Sequence, residues 1–156
     1  MKYMLIAAFA ASLAACGKST PVSPASASIA VSASPSPIAG GACTGCGAGS
    51  TDRESKTTLT LQDSGGVAGT VTSIAMTLTA NAGGQTIAQG SFDTTAITAL
   101  AGTARIAANG SLAITCGVHY PASSAGVAAT LTYSVHVTDD HGNQLSRDLI
   151  VPVTAT

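Results

Sequence analysis

From residue 28 onward, apolar and polar side chains alternate along the chain, which is the period of strands that bury one face. "SIAVSAS" sets Ile29 and Val31 on one face before "PSPI" interrupts it, as expected of a first edge strand punctuated by proline. "TTLTLQ" alternates threonine with Leu59 and Leu61 and runs into the turn signal "DSGG". "TVTSIAMTLTA" places Ile74, Met76 and Leu78 on one side and Ser73, Ala75, Thr77 and Thr79 on the other, and a short "QTIAQG" follows the "NAGG" turn. "SLAITCGVHY" aligns Leu112, Ile114, Cys116, Val118 and Tyr120; "ATLTYSVHVT" aligns Leu131, Tyr133, Val135 and Val137; "LSRDLIVPVT" aligns Leu145, Leu149, Val151 and Val153. One segment, "FDTTAITALAG", fits either a strand or a short helical turn across the end of the sheets. None of these stretches carries a clear helical period.

Roughly seven short strands separated by Gly, Asn and Asp turns, with threonine-rich outer faces, predict an all-β fold: an antiparallel two-sheet sandwich over residues 28–156. In that pattern the stretch resembles a bacterial immunoglobulin-like or fibronectin type III-like domain. The chain has no tryptophan and no well-spaced cysteine pair, which separates it from antibody-type domains. Tyr133 could stand as a tyrosine corner, but its place in mid-strand fits a core residue better. A small closed barrel is the alternative arrangement of the same strands.

The beginning of the chain follows a different rule. In "MKYMLIAAFAASLAAC", Lys2 precedes an apolar run from Met4 to Leu13. A run that short cannot cross a hydrocarbon core of roughly 30 Å, which takes about 20 helical residues, but it suits the apolar region of a secretory signal. Leu13, Ala14, Ala15, Cys16 and Gly17 then resemble the lipobox of bacterial lipoproteins. The resemblance implies removal of a signal peptide, residues 1–15, diacylglyceryl transfer to the Cys16 sulfur, and acylation of the new amino terminus by a fatty acid such as palmitate. One acyl chain holds a protein only marginally, whereas two or more anchor it durably, at about 0.8 kcal/mol per buried CH₂. Plain secretion with Cys16 left as a thiol is the alternative. Gly17 is not acidic, which in a Gram-negative envelope favours the outer membrane.

Residues 16–27 read as the lipidated cysteine and its tether. Four of the chain's six prolines fall at positions 21, 24, 35 and 37, and "GKSTPVSPASA" holds the first two, with too little apolar surface to offset the entropy of ordering it. A disordered or polyproline-like stalk follows, able to reach roughly 35 Å when extended. Less its first fifteen residues, the 156-residue chain suits one domain plus this stalk.

Charge narrows the function. Charged residues are 8% of the chain and the formal net charge is −1, far from the basic balance that nucleic-acid binding requires, so no nucleic-acid partner is expected. Aromatics are only 3%, which leaves a core of Val, Ile, Leu and Ala and few rings on which a sugar could stack.

Three cysteines remain after Cys16. Cys43 and Cys46 form "CTGC", and an exported compartment permits disulfides. One arrangement is a local Cys43–Cys46 bridge with Cys116 buried as a small apolar residue. Another is a bridge from either of them to Cys116, which closes a longer loop. A thioredoxin-like role would need a βαβ context that is missing here, and a zinc site would need a fourth ligand from His119, His136 or His141, with no finger or ribbon spacing to supply one. His119 and His136 fall opposite the apolar positions of their strands, as solvated side chains.

Two further stretches carry polar groups that could bind. Asp139, Asp140 and Asn143 in "TDDHGNQL" could offer oxygens to calcium, but the same residues are ordinary hairpin chemistry. "ANGS" at 108–111 reads as a tight Asn-Gly turn rather than a glycosylation site. Asp52, Arg53 and Glu54, with Lys56 nearby, form the densest charge in the domain and a candidate recognition loop beside CTGC.

No nucleophile elbow, no His-Glu-x-x-His and no phosphate loop occurs, so no catalytic residue, cofactor or metal is assigned and an enzyme is not expected. The reading is a lipid-anchored cell-envelope protein presenting a non-enzymatic interaction or structural module, with the membrane and an envelope component as partners. A lipoprotein that binds carbohydrate or metal through the CTGC loop or the strand-connecting loops is the alternative.

Overall fold

A computed structural model describes residues 25–44, 46–47 and 52–154. The signal, Cys16 and the tether up to residue 24 lie outside the described residues. The described chain runs β1 (Ile29–Ser34), β2 (Ile38–Ala39), β3 (Gly41–Ala42), β4 (Arg53–Asp63), β5 (Gly69–Ala80), β6 (Thr86–Asp93), α1 (Thr94–Ala101), β7 (Arg105–Ile106), β8 (Ser111–Tyr120), β9 (Ala129–Asp139) and β10 (Gln144–Thr154). Seven of these strands have six residues or more, and the other three are two-residue pairings.

They form two sheets. In the first, β4 lies between β8 on one side and β1 and β3 on the other. In the second the order is β2-β10-β9-β5-β6, with β7 pairing the start of β5. Every pairing is antiparallel except that of β2 with β10. Prolines 35 and 37 end β1, as residues with no N–H to give a ladder must, and the chain crosses from the first sheet to β2 in the second.

The inward positions are those the alternation picks out. Leu59 and Leu61 of β4, with Leu112, Ile114, Cys116 and Val118 of β8, are buried in one cluster with Ile74, Met76 and Leu78 of β5 and Leu131, Tyr133, Val135 and Val137 of β9. Burying each large aliphatic side chain contributes about 1.5–3 kcal/mol, so this seam holds the sheets together. In β10 only Val151 and Val153 are fully inside, while Leu145 and Leu149 pack at the margin. There Arg147 crosses between the sheets, its Nε–H donating to the Ile29 carbonyl at 2.9 Å.

The ambiguous "FDTTAITALAG" resolves into α1. Asp93 caps it by accepting the Ala96 N–H at 2.8 Å, and Gly102 ends it by donating to the Thr98 carbonyl at 2.8 Å. With Ile97 its one buried residue, the helix has no apolar stripe for a period to reveal.

β4 begins four residues earlier than the alternation indicates. Ser55 and Thr57 point inward as buried polar groups, the Ser55 hydroxyl donating to Tyr120 Oη at 3.4 Å and the Thr57 hydroxyl to the Pro35 carbonyl at 2.9 Å. Arg53 and Glu54 therefore belong to a strand paired with β8, which corrects the expected recognition loop Asp52, Arg53 and Glu54: only Asp52 precedes the strand.

Two buried aspartates fasten the chain just ahead of β1. Asp63, 1% exposed, accepts backbone N–H groups from Ser28, Asn109, Gly65 and Gly66 at 2.9 to 3.0 Å. Asp139, 4% exposed, accepts the backbone N–H of Ala27, His141 and Asn143 and the Asn143 side-chain amide at 2.8 to 3.2 Å. Consecutive residues of the incoming chain, Ala27 and Ser28, are thus held by carboxylates from opposite sheets. The residues considered for calcium are occupied in this way: Asp139 closes the β9–β10 hairpin, and Asp140 pairs with Arg105 at the surface. Asn109, at φ 55°, makes the expected Asn-Gly turn and presents its N–H to Asp63.

Tyr133 is fully buried, and its hydroxyl has no hydrogen-bond partner among the described residues. Burial raises the phenol above its ordinary pKa, with the neighbouring Cys116 adding to the effect. It is a core residue and not a corner. Tyr133→Phe removes a desolvated hydroxyl without removing the ring, and is expected to raise stability by about 1 kcal/mol in urea unfolding. A loss of similar size would mean that the hydroxyl has a partner.

Candidate functional site

At the end of the first sheet opposite Ala27 and Ser28, β4, β8 and the β3–β4 connection converge. β4 alternates strictly, so with Ser55 and Thr57 inward, Glu54 and Lys56 face out. β8 alternates likewise and turns His119 outward. The antiparallel register sets Glu54 directly opposite His119, and Gly41 of β3 opposite Glu54 on its other side. The connection from β3 then brings Cys43 and Cys46 over the same face, its base closed by the Cys43 N–H donating to the Asp52 carbonyl at 3.1 Å.

Cys43 and Cys46 stand at disulfide distance, 2.06 Å between sulfurs. His119 Nδ1 lies 3.8 Å from the Cys46 sulfur, and His119 Nε2 lies 3.4 Å from Glu54 Oε1. Glu54 is the hub of this group: Oε1 is also 3.0 Å from Lys56 Nζ, and Oε2 accepts the Thr44 hydroxyl at 2.9 Å and the Thr44 N–H at 3.5 Å. Desolvation pushes the Glu54 carboxyl up, but the bonds from Lys56 and Thr44 outweigh it, and the net shift is below the ordinary value. It is a carboxylate at neutral pH.

Cys116 lies elsewhere. It is on the inner face of β8, and burial pushes its thiol up to about 12, so it is a core side chain with little thiolate character. His136 sits on the outer face of β9, and His141 Nδ1 lies 2.7 Å from the Ala25 carbonyl at the opposite pole. Of the polar residues singled out in the sequence, the fold therefore gathers Cys43, Cys46, Glu54, Lys56 and His119, with Asp52 at the base of the loop, and places Cys116, His136, His141 and Asp139 elsewhere.

No family model and no curated protein matches the sequence. Solved structures do match its shape. A Northeast Structural Genomics Consortium target, SoR45, is similar over 82% of this chain and 86% of its own, with a TM-score of 0.54 and 14% identity. A protein described as ApaA from Bordetella pertussis is similar over 83% of this chain and 97% of its own, with a TM-score of 0.54 and 12% identity. The likeness is one of fold. At these identities it carries no residue of the Cys43, Cys46, Glu54 and His119 group with it, and that group rests on its own geometry.

His119 is exposed on the outer face of its strand, as alternation predicts, but alternation reports only the face a residue takes and not what lies beside it on that face. The missing information was the β4–β8 register, which brings together residues 65 positions apart.

Proposed function

We propose that this is a lipid-anchored protein of the bacterial cell envelope, presenting an immunoglobulin-like sandwich as a non-enzymatic interaction or structural module. The observation that carries the reading is polarity. The chain from the tether enters the sandwich at Ala27 and Ser28, held by Asp63 and Asp139, and the CTGC loop lies at the opposite end of β4. At about 3.3 Å per residue the eleven residues of β4 separate the two by roughly 33 Å. A domain fastened to its stalk at one pole displays the other to whatever stands above the membrane. The loop after β5, residues 81–85, and the β8–β9 connection share that far pole. The passage of the chain from β1 in the first sheet to β2, paired parallel with β10 in the second, supports the immunoglobulin-like reading, and Gly17 favours the outer membrane in a Gram-negative cell.

Cys16→Ala tests the anchor. The natural chain is expected in the membrane fraction, released by detergent and not by salt, and the variant is expected to lose its lipid and accumulate unprocessed. A variant that is still cleaved and still fractionates with membranes would overturn the lipobox reading.

A further inference from the structure

Closing so short a loop constrains the unfolded chain less than a bridge to Cys116 would, so a Cys43–Cys46 bridge is a weak staple. What surrounds it has a more specific form. One sulfur atom from each cysteine and one ring nitrogen of His119 lie within 4.8 Å of one another. The ring is oriented from behind, with Nδ1 toward the Cys46 sulfur and Nε2 toward the Glu54 carboxylate. A histidine that gives one nitrogen to a metal and the other to a carboxylate has this arrangement, in which the carboxylate fixes the ring and raises its basicity. Glu54 is itself held by Lys56 and Thr44, so the orienting group is fixed before any ion arrives.

We propose that Cys43, Cys46 and His119 form a zinc site that exists only when the two cysteines are reduced. Two thiolates and an imidazole are the donors that zinc prefers, and zinc imposes no geometry that three ligands and a solvent molecule cannot meet. The His119 side chain is 52% exposed and both cysteines are half-buried, so water can reach a fourth position and a reductant can reach the pair. The switch balances. A dithiol reductant attacks one sulfur, passes through a mixed disulfide and leaves as its own disulfide, so that Cys43 and Cys46 gain two electrons and two protons. Zinc then displaces the two thiol protons to solvent. A disulfide oxidant reverses the sequence: it takes up the two electrons, with two protons from solvent, as its own two thiols, while the Cys43 and Cys46 sulfurs join and the ion is released. The far pole of the module is therefore a thiol-gated metal site, a role separate from the anchor and from any protein partner.

The test uses the full chain in detergent and, independently of the anchor, the full Cys16→Ala chain. Each is reduced with a phosphine, freed of reductant without air, and titrated with zinc against a chromophoric indicator and with cobalt(II) as a spectroscopic substitute. The reduced chain is expected to take up one equivalent of zinc and to give a thiolate-to-cobalt charge-transfer band, and the oxidised chain neither. His119→Gln should weaken zinc at least about tenfold and Glu54→Gln about 10- to 100-fold, with Cys116→Ala unchanged. Circular dichroism of each variant keeps loss of fold apart from loss of site. No uptake by the reduced chain, unchanged affinity in the Cys43→Ser, Cys46→Ser double variant, or unchanged affinity in a folded His119→Gln chain would each overturn the proposal.

Discussion

Asp63→Ala is expected to destabilise the sandwich by about 3 kcal/mol, because it strips four part-buried backbone N–H groups of the one buried carboxylate they all donate to. Those four come from three segments: the incoming chain at Ser28, the β4–β5 turn at Gly65 and Gly66, and the Asn109 turn before β8. No neighbouring side chain can replace a carboxylate that accepts from all of them. The variant should also expose the Ala25–Ile29 segment to protease well before the core unfolds. Urea unfolding that shifts by less than about 1 kcal/mol would show that water satisfies these groups as well as Asp63 does. The same carboxylates set the acid limit of the fold. Burial raises the Asp63 pKa, but the four N–H bonds outweigh it and the net shift is downward. At Asp139 the Asn143 side-chain bond leads, burial opposes it, and backbone N–H bonds add to it, holding the carboxyl at about 2. A folded pKa below the unfolded value of about 3.9 gives stability that is complete above that value and is lost as pH falls through the folded one. The melting temperature is therefore expected to be level down to about pH 5 and to fall between about pH 4 and pH 2, and Asp63→Ala should flatten that fall.

Gly117→Val is expected to cost about 3 kcal/mol, at the upper end for a side chain forced into a packed position. A Cβ at Gly117 would stand 2.2 Å from the Ser55 carbonyl oxygen and 2.8 Å from the Lys56 Cα. Both are backbone atoms of the paired strand, so no side chain can swing aside, and β4 and β8 must part where Ser55 and Thr57 are already buried polar groups. The position lies two residues from His119, so the variant should also separate His119 from Glu54. Paired urea curves for Gly117→Ala and Gly117→Val would be displaced from the natural chain in that order. Coincidence of all three would mean that the strands separate at no cost.

Where a strand buries an unbroken apolar row, as β8 does from Leu112 to Tyr120 and β9 from Leu131 to Val137, the sequence states which face is inside and only the boundaries remain to be seen. It fails where burial is polar. Ser55 and Thr57 break the apolar row of β4, and nothing local reveals that Tyr120 and Pro35 satisfy their hydroxyls. The helix α1 carries a cap at Asp93 that the sequence does contain, but a single buried Ile97 gives no period to support it. The buried aspartates were legible as turn residues and not as clamps, since their partners come from up to 112 positions away. The candidate site divides in the same way: CTGC is visible as a pair, whereas the histidine and carboxylate beside it depend on the cross-strand register.

The measurement that bears most directly on the account is the intact mass of the protein recovered from membranes of cells expressing the natural sequence. The account predicts a chain beginning at Cys16, heavier than its residues by a diacylglyceryl group and an amide-linked fatty acid, and lighter by two hydrogens for a Cys43–Cys46 bridge. A chain that begins elsewhere, or one that begins at Cys16 with no added mass, would contradict the anchor and with it the orientation that gives the far pole its role.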